Sequence, residues 1–288
     1  MTADSSYPPL VSAEWLIQHQ TDPHLRLVDA SFKMPGVLPK AREDYVNRHI
    51  PGAVFFDIDE ISDLSSPLPH MLPTPEAFAA AVEALGIGSQ DHVVLYGTNG
   101  FTGAARVWWM FRIFGHDRVS ILNGGLKAWT DAGQQLDDAL PTPRPAWFEA
   151  GFRPDLVCDR ATVLANLDTH TAVVIDARAA ARFTGTVPEP RPGLRSGHIP
   201  KSQNLDHLRL VDSSTGLFKT TQMIEEEFRA ADIDLSRPLI ASCGSGVSAC
   251  VLALGLFLLG YDDVAVYDGS WSEWGLPGET PVATGPEA

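Results

Sequence analysis

Residues 238–260 read PLIASCGSGVSACVLALGLFLLG and set the plan of the fold. A five-residue apolar run, 238–242, comes first, and a short loop with two glycines follows it. A longer apolar run then continues up to Gly260. This order predicts a buried strand, a tight turn and a buried helix. Fully apolar strands that alternate with helices are typical of a parallel sheet covered on both faces.

The chain also contains an internal repeat. Five features of the first half recur in the second half, in the same order and at offsets of 145 to 149 residues. The matched pairs are Asp29 with Asp176, His49-Ile50-Pro51 with His198-Ile199-Pro200, Gly115 with Gly260, Gly124 with Gly269, and Trp129 with Trp274. Five matches in register predict two copies of one domain.

The repeat and the prolines together predict the domain boundaries. Four prolines, Pro141, Pro143, Pro145 and Pro154, lie between the two copies in a stretch without clear periodicity, which is typical of a stiff linker. We therefore expect a first domain at 8–132, a linker at 133–157 and a second domain at 158–288. Each domain is predicted to be of the α/β class, a mainly parallel sheet flanked by helices.

Local patterns place the elements. The strands are predicted at 25–29, 92–96, 172–176 and 238–242, and helices at 220–231 and 247–259. A further helix is expected to begin after Thr74, with Thr as its cap and Pro75 in its first turn, and to end at Gly86.

Composition restricts the class of partner. The net charge is −15, from 36 acidic and 21 basic side chains, so nucleic acid and anionic membranes are not expected partners. The longest apolar run, 249–259, is too short to span a bilayer. Three cysteines, an odd and low number, argue against a disulfide framework and predict a reducing compartment, the cytoplasm.

Cys243 is the candidate nucleophile. It follows a strand at the carboxyl end of a parallel sheet, where ligands bind in such folds. The glycines after it allow backbone N–H groups to converge, and the positive end of the following helix faces the same point. A thiol there should ionise readily, and the thiolate is the reactive form. Cys158 and Cys250 lack such a loop and are interpreted as structural.

The matching loop of the first half has no cysteine. Residues 97–103 read GTNGFTG. The first domain therefore cannot perform the same covalent chemistry, and we expect one active site.

With these residues in view, the chain resembles the 3-mercaptopyruvate sulfurtransferases, tandem-domain relatives of rhodanese. The resemblance is carried by CGSGVSA at 243–249, RVWWM at 106–110, PEPR at 188–191 and YDGSWSEW at 267–274. Two positions depart from the family pattern: Ser248 stands where Thr is usual, and Lys201 follows the second His-Ile-Pro where Gly is usual.

The resemblance implies two rhodanese-like domains and a mechanism. The Cys243 thiolate takes the sulfur of 3-mercaptopyruvate as a persulfide, pyruvate leaves, and an acceptor thiol or cyanide removes the outer sulfur. Arg182 and Arg191 would bind the carboxylate and keto groups of the donor. Ser245, Asp59 and His70 would assist proton transfer. The loop residues expected to contact substrate are Gly244, Gly246, Val247 and Ser248. No cofactor or metal is expected, and thioredoxin or a low-molecular-weight thiol is the expected acceptor.

Three other functions are compatible with parts of the sequence. A cysteine phosphatase would need an arginine where Ala249 stands. Thiosulfate sulfurtransferase is the main alternative, but its dianionic donor favours cations in the loop, and Gly244 and Ser245 are neutral. A non-enzymatic rhodanese-like binding module would have lost the active loop in both halves.

Overall fold

The computed structural model describes residues 7–34 and 36–286. The chain forms two compact units. The first contains the chain up to Asp63, Leu72–Arg153 and Ser213–Phe218, and the second contains Leu64–Met71, Pro154–Asp212 and the chain from Lys219 onward. Each unit thus includes a short segment that lies within the other half in sequence.

The first unit has five strands and five helices among its described residues. The strands are β1 (Leu10–Val11), β2 (Leu25–Asp29), β3 (Val54–Phe55), β4 (His92–Tyr96) and β5 (Val119–Leu122). The helices are α1 (Ala13–His19), α2 (Ala41–Asn47), α3 (Pro75–Ala84), α4 (Thr102–Ile113) and α5 (Gly125–Asp131).

The second unit repeats this order within its described residues. The strands are β6 (Val157–Cys158), β7 (Val173–Asp176), β8 (Gln203–Asn204), β9 (Leu239–Ser242) and β10 (Ala265–Tyr267). The helices are α6 (Arg160–Thr169), α7 (Ala180–Phe183), α8 (Thr221–Ala230), α9 (Ala249–Leu258) and α10 (Ser270–Trp274). Short 3₁₀ helices lie at Pro154–Leu156 and His207–Leu210.

Both sheets are parallel and have the same topology. The strand order is β1-β5-β4-β2-β3 in the first unit and β6-β10-β9-β7-β8 in the second. All strand pairs within the described sheets run parallel, for example β4 with β5 and β9 with β10. The α/β class and the tandem organisation predicted from the repeat are therefore confirmed. In each sheet the strand before the glycine loop, β4 or β9, is the central one.

Strand positions agree closely with the sequence predictions. β2 and β4 have the predicted bounds, and β7 and β9 begin one residue later than predicted. The Thr74 hydroxyl caps α3 by accepting from the Ala77 N–H at 3.2 Å. Helix α9 begins at Ala249 and not at the predicted residue 247, because Gly246 takes a φ of 71° and the loop continues to Ser248.

The proline-containing stretch between the repeats packs on the first unit as far as Arg153. Phe148 is buried, and the Gly151 and Arg153 N–H groups donate to the carbonyls of Phe114 and Ile113. Within the described part of the chain, no helix has the length and apolar character that crossing a membrane requires.

Candidate active site

Cys243 begins the loop between β9 and α9, at the carboxyl end of the central strand of the second sheet. It is buried, with 1% of its surface exposed. The neighbouring strands β10 and β7 end at the same edge of the sheet. Residues that follow these strands are therefore the ones that can reach the loop.

The segment after β10 holds the first two peptide units of the loop. The Trp271 N–H donates to the Cys243 carbonyl at 3.0 Å. The Gly244 carbonyl accepts from the Ser272 N–H at 2.8 Å and from the Ser272 hydroxyl at 2.7 Å. The Cys243 N–H donates to the Ser270 hydroxyl at 3.0 Å. The start of the loop is thereby fixed by three consecutive residues, Ser270, Trp271 and Ser272, which we call the loop clamp.

Further along the loop, backbone donors remain available. Within residues 7–34 and 36–286, the N–H groups of Ser245, Val247 and Ser248 have no hydrogen-bond acceptor. They directly precede α9, whose first turn carries partial positive charge. Converging N–H groups at a helix start bind anions, so this loop can stabilise a negatively charged sulfur.

Arg182 and Arg191 both approach the loop at Gly244. A Cβ atom added to Gly244 would lie 3.1 Å from Arg182 Nη2 and 3.8 Å from Arg191 Nη1. The two arginines predicted to bind substrate therefore lie together beside the residue that follows Cys243. A glycine at position 244 leaves room for both guanidinium groups.

A buried carboxylate orients Arg182. The Glu189 side chain is 2% exposed and accepts from Arg182 Nε at 3.2 Å and from Arg182 Nη2 at 2.5 Å. The same carboxylate accepts from Arg178 Nη1 at 2.8 Å, and Arg178 also pairs with Asp176 at the end of β7. Two carboxylates thus balance two guanidinium groups, and the geometry of Arg182 depends on Glu189.

His70 belongs to the second unit, because the segment Leu64–Met71 packs there. Its Nε2 lies 3.2 Å from Arg191 Nη2. A guanidinium group can only donate, so Nε2 is the acceptor and the ring carries its proton on Nδ1. His70 therefore contacts one of the two predicted substrate-binding arginines.

Asp59 belongs to the first unit, where it lines a cavity of about 640 Å³. Its expected role beside Cys243 stays a prediction. The neighbouring Asp57 accepts from the Asp59 N–H at 3.0 Å. No group of three or more metal-ligating side chains occurs among the residues that the structure describes.

The other cysteines lie in different environments. Burial, with smaller effects from Asp159 and Asp268, raises the pKa of the Cys158 thiol to about 12, so this thiol stays protonated at neutral pH. Cys250 is buried in α9, where its Sγ lies 3.2 Å from the Gly246 carbonyl oxygen. The environment of Cys158 therefore does not favour a thiolate.

Arg195, four residues after Arg191, makes its contacts away from the loop. Its guanidinium donates to the carbonyls of Trp274 and Thr280, both at 2.8 Å, and to the Thr280 hydroxyl. It therefore has a structural role in the C-terminal segment.

Sequence reasoning assigned no role to Glu189 or to the loop clamp. Both lie in motifs that carry the family resemblance, PEPR and YDGSWSEW. The loop clamp could have been found from its place in the sequence, because it follows β10, a strand that neighbours β9.

Comparisons with known proteins agree with this architecture. The family model for the rhodanese-like domain matches residues 12–132 and 159–276. The chain is 45% identical to 3-mercaptopyruvate sulfurtransferase of Rattus norvegicus, over 95% of this chain and 94% of that protein. It is 44% identical to thiosulfate/3-mercaptopyruvate sulfurtransferase 1 of Arabidopsis thaliana, a mitochondrial protein, over 96% of this chain and 79% of that one.

A solved structure shows the same fold. The crystal structure of SseA from Escherichia coli, described as a 3-mercaptopyruvate sulfotransferase, superposes with a TM-score of 0.84 at 42% identity. The match covers 92% of this chain and 99% of that one. Two family matches, near full-length relatives and one shared fold lead to a single conclusion: the chain belongs to the rhodanese family of tandem-domain sulfurtransferases.

Proposed function

We propose that this chain transfers sulfur from 3-mercaptopyruvate to a thiol acceptor through a persulfide on Cys243. The observation that carries the proposal is the pair Arg182 and Arg191 at Gly244, directly beside the cysteine. Two guanidinium groups match a donor whose carboxylate and keto oxygen lie next to each other. The catalytic half is assigned to 158–288, and 8–132 is assigned to a half without a nucleophile.

The first half-reaction forms the persulfide. The Cys243 thiolate attacks the donor sulfur, the carbon–sulfur bond breaks, and its electron pair goes to the departing pyruvate enolate. The enolate then takes up a proton to give pyruvate. The arginines stabilise the charge that develops on the keto oxygen, and the loop N–H groups of Ser245, Val247 and Ser248 stabilise charge on sulfur.

The second half-reaction regenerates the enzyme. An acceptor thiolate attacks the outer sulfur of the persulfide, the sulfur–sulfur bond breaks, and the Cys243 thiolate leaves. Ser245, His70 and Asp59 are proposed to assist the proton transfers. The proposed acceptor is a low-molecular-weight thiol or thioredoxin, and the proposed compartment is the cytoplasm, where free cysteines remain reduced.

The charge of the site supports a monoanionic donor. Glu189 offsets Arg182, and Gly244 and Ser245 add no cation beside the nucleophile. Thiosulfate is a dianion whose charge lies close to the sulfur under attack, so an anionic thiolate repels it unless cations are near. The relatives include a protein named for both donors, so family membership alone does not assign the donor.

The test is the ratio of kcat/KM for 3-mercaptopyruvate to kcat/KM for thiosulfate. We expect the wild-type ratio to exceed one, and Ser245→Lys to shift it toward thiosulfate. The control is Ser236→Lys, a position on the second unit outside the loop. A wild-type ratio below one would refute the donor assignment, and an unchanged ratio in a folded Ser245→Lys protein would refute the charge argument.

A further inference from the structure

Ser270 has an unusual backbone for its residue type. Its φ is 46°, in the left-handed region that side chains with a Cβ atom rarely adopt. It is fully buried, with 0% of its surface exposed. Non-glycine residues held in this region cluster at functional sites, because surrounding contacts must maintain them there.

The contacts that hold Ser270 lead to Cys243. The Ser270 hydroxyl accepts the Cys243 N–H at 3.0 Å and donates its own proton to the Tyr267 carbonyl at 2.7 Å. One hydroxyl group therefore connects the end of β10 to the nucleophilic residue. It also occupies the N–H of Cys243, while the N–H groups of Ser245, Val247 and Ser248 have no acceptor among the described residues.

The first unit contains the same backbone arrangement without the hydroxyl. There the Leu126 N–H donates to the Gly97 carbonyl at 3.0 Å, as the Trp271 N–H does to the Cys243 carbonyl at 3.0 Å. Gly125 takes the place of Ser270, with a φ of 57°. A Cβ atom on Gly125 would lie 2.2 Å from the Gly97 oxygen, which no real contact allows. At this position the unit whose loop has no cysteine has Gly125. The unit with Cys243 has Ser270, in the backbone conformation that glycine prefers.

We propose that Ser270 is a positioning residue for Cys243. Its hydroxyl takes up the Cys243 N–H and so fixes the first peptide of the loop, which directs the later N–H groups to the sulfur. Without this hydroxyl the buried Cys243 N–H has no acceptor, and the peptide must turn to find one. The inference rests on the proposed role of Cys243 and adds the residue that orients it.

Two variants separate the hydroxyl from the backbone conformation. Ser270→Ala removes the hydroxyl and keeps the disfavoured φ, and Ser270→Gly removes the hydroxyl and tolerates that φ. Ser272→Ala is the matched comparison, because the Gly244 carbonyl that loses the Ser272 hydroxyl still accepts the Ser272 N–H. Melting temperatures identify the variants that fold. If Ser270→Ala does not fold, the comparison of Ser270→Gly with the wild type is the test.

The measurement is the rate of Cys243 alkylation by iodoacetamide as a function of pH, read by peptide mass spectrometry. We expect both Ser270 variants to slow alkylation at pH 7 about tenfold and to move the half-maximal rate to higher pH. Ser272→Ala should slow it by less than about threefold. Turnover of 3-mercaptopyruvate should fall in parallel with alkylation.

Alkylation needs no sulfur donor, so this test is independent of the donor assignment. If the wild type does not turn over 3-mercaptopyruvate but Ser270→Gly still slows alkylation, the proposed function fails and the role of Ser270 stands. A wild-type pH profile in Ser270→Gly would overturn the inference. The inference would also be overturned if Cys243 is alkylated at the wild-type rate in Ser270→Gly but slowly in Ser270→Ala, because the backbone conformation would then be the cause.

Discussion

The two glycine loops of the chain have the same place in the fold and differ in the side chains that lie beside them. In the first unit the Thr98 N–H donates to the Ser31 hydroxyl at 2.9 Å, and the Thr98 hydroxyl donates to the same oxygen at 3.0 Å. In the second unit Arg178 stands where the repeat places Ser31, and it turns to Asp176 and Glu189. The first loop therefore has a serine hydroxyl beside it, whereas Gly244 in the second loop has Arg182 and Arg191 beside it. A site for an anionic donor needs these cations as well as the cysteine.

The largest expected effect follows from this difference. Cys243→Ser should lower turnover at least about 10³-fold, because the covalent step is lost. Adding Gly97→Cys to that variant should not restore it, since Arg182 and Arg191 lie beside Gly244 in the second unit. In addition, a Cβ atom at Gly97 would lie 2.6 Å from the Gly100 oxygen. Steady-state kinetics of the single and double variants check this, and activity in the double variant would show that a cysteine alone suffices.

The arginines at Gly244 should give the next largest effect. Arg182→Ala or Arg191→Ala removes a charge-assisted contact to the donor, which should cost about 2 kcal/mol in kcat/KM, or roughly thirtyfold. Arg229→Ala is the control, because Arg229 is exposed and pairs within its helix with Glu225 at 2.8 Å. A wild-type kcat/KM in both Arg182→Ala and Arg191→Ala would show that neither arginine binds the donor.

Glu189 should have a smaller effect on rate and a distinct effect on specificity. Glu189→Gln keeps the shape of the side chain and removes the charge that offsets Arg182, so Arg182 is less well oriented. We expect about a tenfold loss in kcat/KM for 3-mercaptopyruvate, mainly through KM, which corresponds to about 1.4 kcal/mol. The ratio of thiosulfate to 3-mercaptopyruvate activity should rise because the site gains net positive charge. Glu225→Gln, an exposed position, should change neither quantity.

The last expected effect concerns the stability of the two units and not the reaction rate. Burial lowers the pKa of His116, and that of His92, to about 4, and both histidines lie in the first unit. Between pH 6.5 and 4 the unfolded chain binds protons that the folded unit does not, so stability falls as pH falls through this window. The loss should reach about 2 kcal/mol per histidine at pH 5.

Hydrogen exchange of β4 and β5 peptides in urea, at pH 7.5 and pH 5, measures this loss after correction for the intrinsic exchange rate. His116→Gln should make the pH dependence shallower. If β9 peptides lose as much protection against exchange at pH 5, or if His116→Gln keeps the wild-type pH dependence, the loss of stability does not come from these histidines.

Local patterns predicted a large part of this fold. The bounds of β2 and β4 and the Thr74 cap follow from short-range rules, because an apolar run or a cap depends on neighbours in sequence. The glycine loop after β9 also predicted where Cys243 lies. Periodicity and turn chemistry were sufficient for these features.

Contacts made across the sheet could not be predicted in the same way. The contact of Ser270 with Cys243 joins residues that β10 and β9 carry to one edge, and the pairing of Glu189 with Arg182 depends on the conformation of the irregular segment between α7 and β8. His70 is a further example, because its segment lies in the first half of the sequence and packs in the second unit. Such contacts depend on tertiary packing, which a one-dimensional pattern does not contain.

The central claim is that Cys243 alone carries the sulfur. The most direct measurement is peptide mass spectrometry of the protein after brief treatment with 3-mercaptopyruvate and capping of free thiols. We predict one added sulfur atom on the peptide that contains Cys243, and none on the peptide with Cys158 or at Cys250. An added sulfur at Cys158 or Cys250, or its persistence in Cys243→Ser, would contradict the account.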